Sequence, residues 1–215
     1  TLRDSQQVFL DEDLAALSPG AVDWESNPNR DKLDLHAMFG GKPLWLEIGF
    51  GGGEHLVHQA ALNPGVGIIG AEPYINGVAM LLGKIREAGV GNLRVHPGDA
   101  RHLVDVLPAG LVENVFLNYP DPWPKKRHHK RRLLQRAFFD LLMPRVQRHG
   151  RVFIATDNAD YAESIMATIA EMPDWINLAG AAAWAPRAAF RPVTKFEAKA
   201  GAAGAQVFDI ALARA

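Results

Sequence analysis

From Leu44 to Thr156 the chain repeats one pattern: a short apolar run, a Gly or Pro joint, then a stretch with helical spacing. Apolar runs at 44–48, 66–71, 93–96, 113–118 and 151–156 have the length of buried strands. Helical patterns lie near 53–62, 74–88, 100–107, 129–143 and 159–171, and Pro64-Gly65, Gly89, Gly91, Pro97-Gly98 and Gly150 punctuate the joints. Strands separated by helices can return only as parallel neighbours, so the pattern predicts an α/β fold with helices on both faces of a mostly parallel sheet. Two later candidates, 176–183 and 206–213, bring the strands to seven. The last of these alternates apolar and polar residues, as an edge or antiparallel strand does. Residues 1–43 have weak periodicity and many turn formers (Ser18-Pro19-Gly20, Asn27-Pro28-Asn29). They read as an N-terminal arm, partly irregular, with one short helix, ahead of a domain spanning 44–215.

Composition narrows the partners. The chain has 215 residues, 23 Lys+Arg, 24 Asp+Glu and no cysteine, which excludes disulfides, thiolate metal sites and cysteine nucleophiles. Six of the cations fall in one run of eight residues, Lys125, Lys126, Arg127, Lys130, Arg131 and Arg132, with His128 and His129 between them. Setting them aside leaves 17 cations against 24 acids. Positive charge gathered in one place on an acidic protein calls for a polyanion, and nucleic acid is the commonest one. The bland alternatives are a solvated helix face or a localisation signal. No apolar run approaches the roughly 20 residues of a membrane span, and the N-terminus lacks a basic-then-apolar leader pattern. We therefore expect a cytoplasmic protein with no membrane partner. No obligatory protein partner is evident, and monomer and homodimer both stay open.

Leu44-Trp45-Leu46-Glu47-Ile48-Gly49-Phe50-Gly51-Gly52-Gly53-Glu54 reads as a strand, a glycine-rich turn and a helix start. Such a turn lets a ligand approach the main chain. Glu54 stands where a dinucleotide fingerprint wants Gly or Ala, which disfavours a pyrophosphate. Glu72 ends the second strand, where an acid can accept both ribose hydroxyls. Asp99 follows the third, where it can receive an adenine amino group. Each acid can equally be the cap of the next helix. Acids at successive strand ends together favour bound adenosine. Glu47 lies inside a strand, and a carboxylate there is expected to face the ligand or a backbone donor. That suits an amino group or sulfonium-bearing chain, as in S-adenosyl-L-methionine, better than NAD.

Asn118-Tyr119-Pro120-Asp121-Pro122-Trp123-Pro124 follows the fourth strand. Its prolines stop both strand and helix, leaving a stiff loop that presents a carboxylate and an aromatic ring. An aromatic there can stack on a base, and a carboxylate can accept hydrogen bonds from a guanine edge. The basic run begins immediately after it.

The motifs L-E-I-G-F-G-G-G-E, G-A-E-P, N-Y-P-D-P-W-P-K-K-R-H-H-K-R-R, A-T-D-N and R-P-V-T-K-F-E together resemble the bacterial tRNA (guanine-N7)-methyltransferase family, over roughly Leu44 to Lys199. The resemblance implies a Rossmann-like class I methyltransferase fold, S-adenosyl-L-methionine as donor with S-adenosyl-L-homocysteine as product, and guanosine 46 in the tRNA variable loop as acceptor. Carried onto the matching positions, it implies cofactor contacts from Glu47, Gly49, Gly51, Glu72, Asp99, Ala100, Asn118 and Asp121, with Asp121 also the catalytic position. Lys125, Asp157, Thr194, Lys195, Phe196 and Glu197 would contact the substrate. Lys126, Arg127, Lys130, Arg131 and Arg132 would meet RNA. The Ala/Gly-rich stretch 198–205 is expected to be loose. Three rivals remain on sequence grounds. A methyltransferase acting on an exocyclic amine would place an Asn- or Asp-led Pro-Pro-aromatic tetrad where Asn118-Tyr119-Pro120-Asp121 stands. A binding module with a disabled site would not need the acids at 47, 72, 99 and 121. An NAD oxidoreductase conflicts with Glu54. His55, His58, His96, His102 and His149 are scattered and read as structural or surface residues, with no metal site.

Overall fold

The computed structural model describes residues 2–193, 197–198, 204 and 206–215. Thr194, Lys195 and Phe196, and most of the 198–205 stretch, lie outside the described residues. Among those described, strands β1 (Leu44–Ile48), β2 (Gly67–Ala71), β3 (Leu93–His96), β4 (Val112–Asn118), β5 (Val146–Thr156), β6 (Trp175–Asn177) and β7 (Phe208–Arg214) form one sheet. Its order is β3-β2-β1-β4-β5-β7-β6. The first five strands are parallel, and β7 enters antiparallel between β5 and β6. The order reverses between β1 and β4, and in open α/β sheets the crevice outside the strand ends at such a point is where ligands bind.

Helices cover both faces, because each strand face is apolar. Leu46, Ile69, Val115, Leu117 and Ile154 pack in the core that includes α5 (Ala100–Val106), α6 (Arg136–Leu142) and α7 (Ala159–Ala170). Ile68, Leu93 and Val95 pack with α3 (Glu54–Leu62) and α4 (Ile75–Ala88) on the other side.

Three features depart from the sequence reading. The arm holds two helices, α1 (Asp4–Asp13) and α2 (Leu35–Phe39), and it is packed down. Val22, Leu33, Leu35 and Phe39 join the main core, and Arg86 on α4 pairs with Glu12 and Asp13 at 2.5 Å each. Short apolar contacts spaced by turns carry no periodicity, so the sequence did not display them. The pattern at 129–143 splits into a 3₁₀ turn at Lys126–Arg131 and the shorter α6. Six cations side by side repel one another along a helix, and the 3₁₀ turn ends where Arg132 turns inward. The strand expected at 176–183 is cut to Trp175–Asn177, where Ala179 N donates to Asn177 Oδ1 in a turn.

Candidate active site

The loops after β1 to β5 meet along the carboxyl edge of the sheet. Main-chain bonds hold the strand ends level: Glu72 N donates to His96 O at 3.1 Å, Gly49 N to Ala71 O at 2.8 Å, and Tyr119 N to Ala155 O at 2.8 Å. The glycine turn and Glu72 form one unit. Gly51 has φ 54°, and its N–H donates to Glu72 Oε2 at 2.9 Å. Glu72 Oε1 accepts from Tyr74 N at 2.9 Å. Gly77 of α4 approaches so closely that a Cβ there would lie 2.4 Å from Gly51 O. Glu72 is 8% exposed, and each carboxylate oxygen keeps a lone pair for a ligand hydroxyl.

Asp99 is the N-cap of α5, accepting from Arg101 N at 2.8 Å, so the capping alternative describes it. It also takes Arg101 Nη2 at 2.6 Å. Burial raises its carboxyl pKa, but the Arg101 hydrogen bonds outweigh this and hold it below the ordinary value. Ala100, buried, opens α5.

Glu47 departs from expectation in its partner. It is 2% exposed, and its Oε2 accepts from the side chain of His55 at 2.8 Å, where a ligand or backbone donor was expected. His55 is one of the histidines read as structural. Its ring is buried and packs edge-on against Phe116 at 5.0 Å.

The loop after β4 carries local strain. Tyr119 has φ 55° and Trp123 φ 43°, a region that side-chain-bearing residues enter at a cost of roughly 1–2 kcal/mol. Prolines on either side of Asp121 leave few alternatives. Asp121 is thereby exposed at the sheet edge. Burial pushes the Tyr119 hydroxyl up to about 12, with Glu197, Asp209 and Asp157 adding to the shift against Arg191. Those electrostatic couplings bring Asp157 and Glu197, the two acids carried over as substrate contacts, near Tyr119 in the proline loop. Three buried polar atoms there have no hydrogen-bond partner among the described residues: Tyr119 Oη, Asn118 Nδ2 and Arg191 Nε. Beside them a cavity of about 420 Å³ is lined by Phe116, Asn118, Phe153, Phe190, Arg191 and Asp209.

The basic run divides in two. Lys125, Lys126, Arg127, Lys130 and Arg131 are exposed, and Arg131 stacks over the Trp123 ring at 5.0 Å. Arg132 does not belong with them. It is 5% exposed, its Nε donates to Pro122 O at 2.7 Å, its Nη2 reaches Asp160 at 2.5 Å, and it lies over the Tyr161 ring. These contacts turn the Arg132 guanidinium inward, where it braces the proline loop instead of facing out with its neighbours.

Sequence reasoning missed Gln59, Arg191 and Asp209. Arg191 is buried between Asp209, which it bonds directly, and Glu197 at 3.4 Å, while Arg187 holds Glu197 at 2.5 Å. The one signal for Gln59 was its spacing, four residues after His55 on the same face of the helix.

Comparison with known proteins accounts for this arrangement. A protein-family model described as "Putative methyltransferase" matches residues 41–210. The tRNA (guanine-N(7)-)-methyltransferase of Roseobacter denitrificans is 64% identical over 174 residues, covering 80% of this chain and 73% of the relative. That of Paracoccus denitrificans is 48% identical over 202 residues, 93% of this chain and 84% of the relative. The chain belongs to the tRNA (guanine-N7)-methyltransferase family. Solved structures show the same fold at much lower identity. The 16S rRNA methyltransferase KamB superposes with a TM-score of 0.60 at 14% identity over 86% of this chain and 95% of that one. A Streptococcus mutans protein described as a "putative methyltransferase", in complex with SAH, gives 0.56 at 8% identity over the full length of both chains. In this family member the glycine turn, the strand-end acids and the proline loop therefore sit on a methyltransferase fold.

Proposed function

We propose that this enzyme transfers a methyl group from S-adenosyl-L-methionine to N7 of guanosine 46 in the variable loop of tRNA. The observation that carries the reading is the Asn118–Pro124 loop: a strained, carboxylate-bearing turn at the sheet's switch point with five exposed cations directly after it. The residues fit the donor. A Cβ on Gly49 or Gly51 would meet nothing within 4 Å, so the turn presents open main chain to a ligand, the acids at 72 and 99 match ribose hydroxyls and an adenine amino group, and Asn118 Nδ2 is a buried donor without a partner among the described residues. Glu47, Gly49, Gly51, Glu72, Asp99, Ala100, Asn118 and Asp121 would hold it. When bound, S-adenosyl-L-methionine supplies a methyl group activated by its sulfonium.

Guanine N7 has a lone pair and no proton, so no residue need act as a base. The protein's task is positioning. Asp121 orients the guanine edge, and its carboxylate balances the positive charge that N7 alkylation leaves on the ring. Lys125, Asp157 and the 194–197 segment complete the base-binding side. Lys126, Arg127, Lys130 and Arg131 hold the tRNA backbone, contacts that give affinity and register without reading sequence.

The test is a methyl-transfer assay with labelled S-adenosyl-L-methionine and an unmodified tRNA transcript, followed by reduction and aniline treatment. Strand cleavage at one variable-loop guanosine is expected. Label transferred without cleavage would move the chemistry to another atom, such as an exocyclic amine. No transfer by folded protein would refute the proposed activity.

A further inference from the structure

A buried polar chain runs from the donor side of the site to the substrate side. Glu47 on β1 accepts from His55 Nδ1 at 2.8 Å. His55 Nε2 faces Gln59 Nε2 at 3.3 Å, and Gln59 Nε2 donates to Phe190 O at 2.8 Å. All three side chains are at most 3% exposed. The Phe190 carbonyl accepts only, so it fixes the Gln59 amide with its nitrogen toward both partners. That NH₂ has two protons and no lone pair. Its second proton therefore points at His55 Nε2, which must be the unprotonated ring nitrogen, and Nδ1 carries the proton given to Glu47. Every donor in the chain meets an acceptor, and one tautomer satisfies all of it.

The two ends matter for different ligands. Glu47 stands two residues before Gly49, on the strand that feeds the donor turn. Phe190 immediately precedes Arg191, the buried cation that binds Asp209 and Glu197. Phe190 also seals the aromatic cluster, 5.6 Å from Phe116 and 4.9 Å from Phe153. Burying four polar groups is costly unless the arrangement is held complete. A shift at either end therefore strains the other.

We propose that His55 and Gln59 are positioning residues that tie the donor site to Phe190 and the buried Arg191–Asp209–Glu197 cluster on the substrate side, so that filling one site tightens the other. The inference rests on the proposed function for the identity of the two ligands. The substitutions separate the halves of the chain. His55→Asn places an amide N–H near the Nδ1 position and keeps Glu47 paired while cutting the link to Gln59. His55→Leu removes both links. Gln59→Leu keeps the volume and releases Phe190.

The readouts are S-adenosyl-L-homocysteine affinity by calorimetry, with and without tRNA transcript, and the KM for tRNA. Gln59→Leu and His55→Asn should raise the tRNA KM about tenfold, the effect of one lost hydrogen bond of ordinary strength, with donor affinity held within about twofold. Both should also lose the mutual tightening of donor and tRNA that the proposal predicts for the wild type. His55→Leu should weaken the donor as well, because it leaves a buried carboxylate unpaired. In the wild type, saturating S-adenosyl-L-homocysteine should slow amide hydrogen exchange around Phe190 to Val193, a measurement that needs no substitution. Unchanged exchange there, or a Gln59→Leu enzyme with wild-type tRNA KM, would overturn the proposal. A wild type that binds S-adenosyl-L-homocysteine and shows the exchange effect but methylates no tRNA would instead strike at the functional reading.

Discussion

Gly77→Ala sets two effects of known sign against each other. In a solvent-facing helix the change from Gly to Ala stabilises by up to about 1 kcal/mol. Here the new Cβ would lie 2.4 Å from Gly51 O and 3.3 Å from Glu72 Cγ. Ordinary contact begins at 3.4 Å, so α4 and the glycine turn must part by 1.0 Å, and the nearest obstacle is backbone that cannot rotate away. Overpacking of this kind costs about 1–3 kcal/mol. The net is a loss of about 1 kcal/mol, or roughly 2–4 °C in melting temperature for a domain of this size. The larger effect falls on the donor. Separation breaks the Gly51 N–H to Glu72 bond, worth about 1–1.5 kcal/mol, and this predicts roughly tenfold weaker S-adenosyl-L-homocysteine binding. Calorimetric titration of wild type, Gly77→Ala and the control Gly91→Ala, whose Cβ would meet nothing within 4 Å, checks it. A Gly77→Ala protein that melts higher and binds as tightly as wild type would refute the claim that this contact shapes the donor site.

Asp121→Asn should lower turnover by about 10²–10³ with a flat pH profile between 6 and 9. A rate rising through a carboxylate titration would show base catalysis instead. If Lys126, Arg127, Lys130 and Arg131 meet phosphates, log affinity for tRNA should fall with log salt at a slope of about −3, and Lys130→Ala with Arg131→Ala should flatten it by roughly 1.5. Arg132→Met should leave that slope alone and lower the melting temperature, because it strips the donor from the Pro122 carbonyl. Such a loss is worth about 1–3 kcal/mol, and a changed slope would return Arg132 to the RNA surface. The Arg30 hydrogen bond holds the Asp105 carboxyl below its ordinary value, and Arg132 does the same for Asp160. Folded values below unfolded ones mean that these pairs stabilise fully above about pH 4 and lose their contribution as pH falls through the depressed values. Stability measured by chemical denaturation should therefore show no loss from them between pH 5 and 8, and a decline from these pairs within that window would contradict the pairing.

The parallel strands and the residues at their ends were legible because both follow local rules. Apolar runs of strand length between helical patterns specify the sheet, and strand ends in such a sheet share one edge. That is how Gly51, Glu72, Asp99 and Asp121 could be placed in one region from order alone. The stiffness of 118–124 was equally local, since proline fixes its own φ. Tertiary packing decided the rest. Six cations in a run of eight residues look alike in sequence. Only the position of Pro122 and Asp160 in space turned Arg132 inward while its neighbours stayed exposed. Glu47 acquired His55 because the helix after the glycine turn folds back over β1. Gln59 and Phe190, 131 positions apart, meet because the chain after β6 crosses back over the face of β4 and β5. A hydrogen bond acts over about 3 Å and leaves no trace in composition or periodicity when its partners are far apart in sequence. Sequence order therefore fixed which strand ends carry the chemistry, and only the fold could determine which buried groups hold them in place.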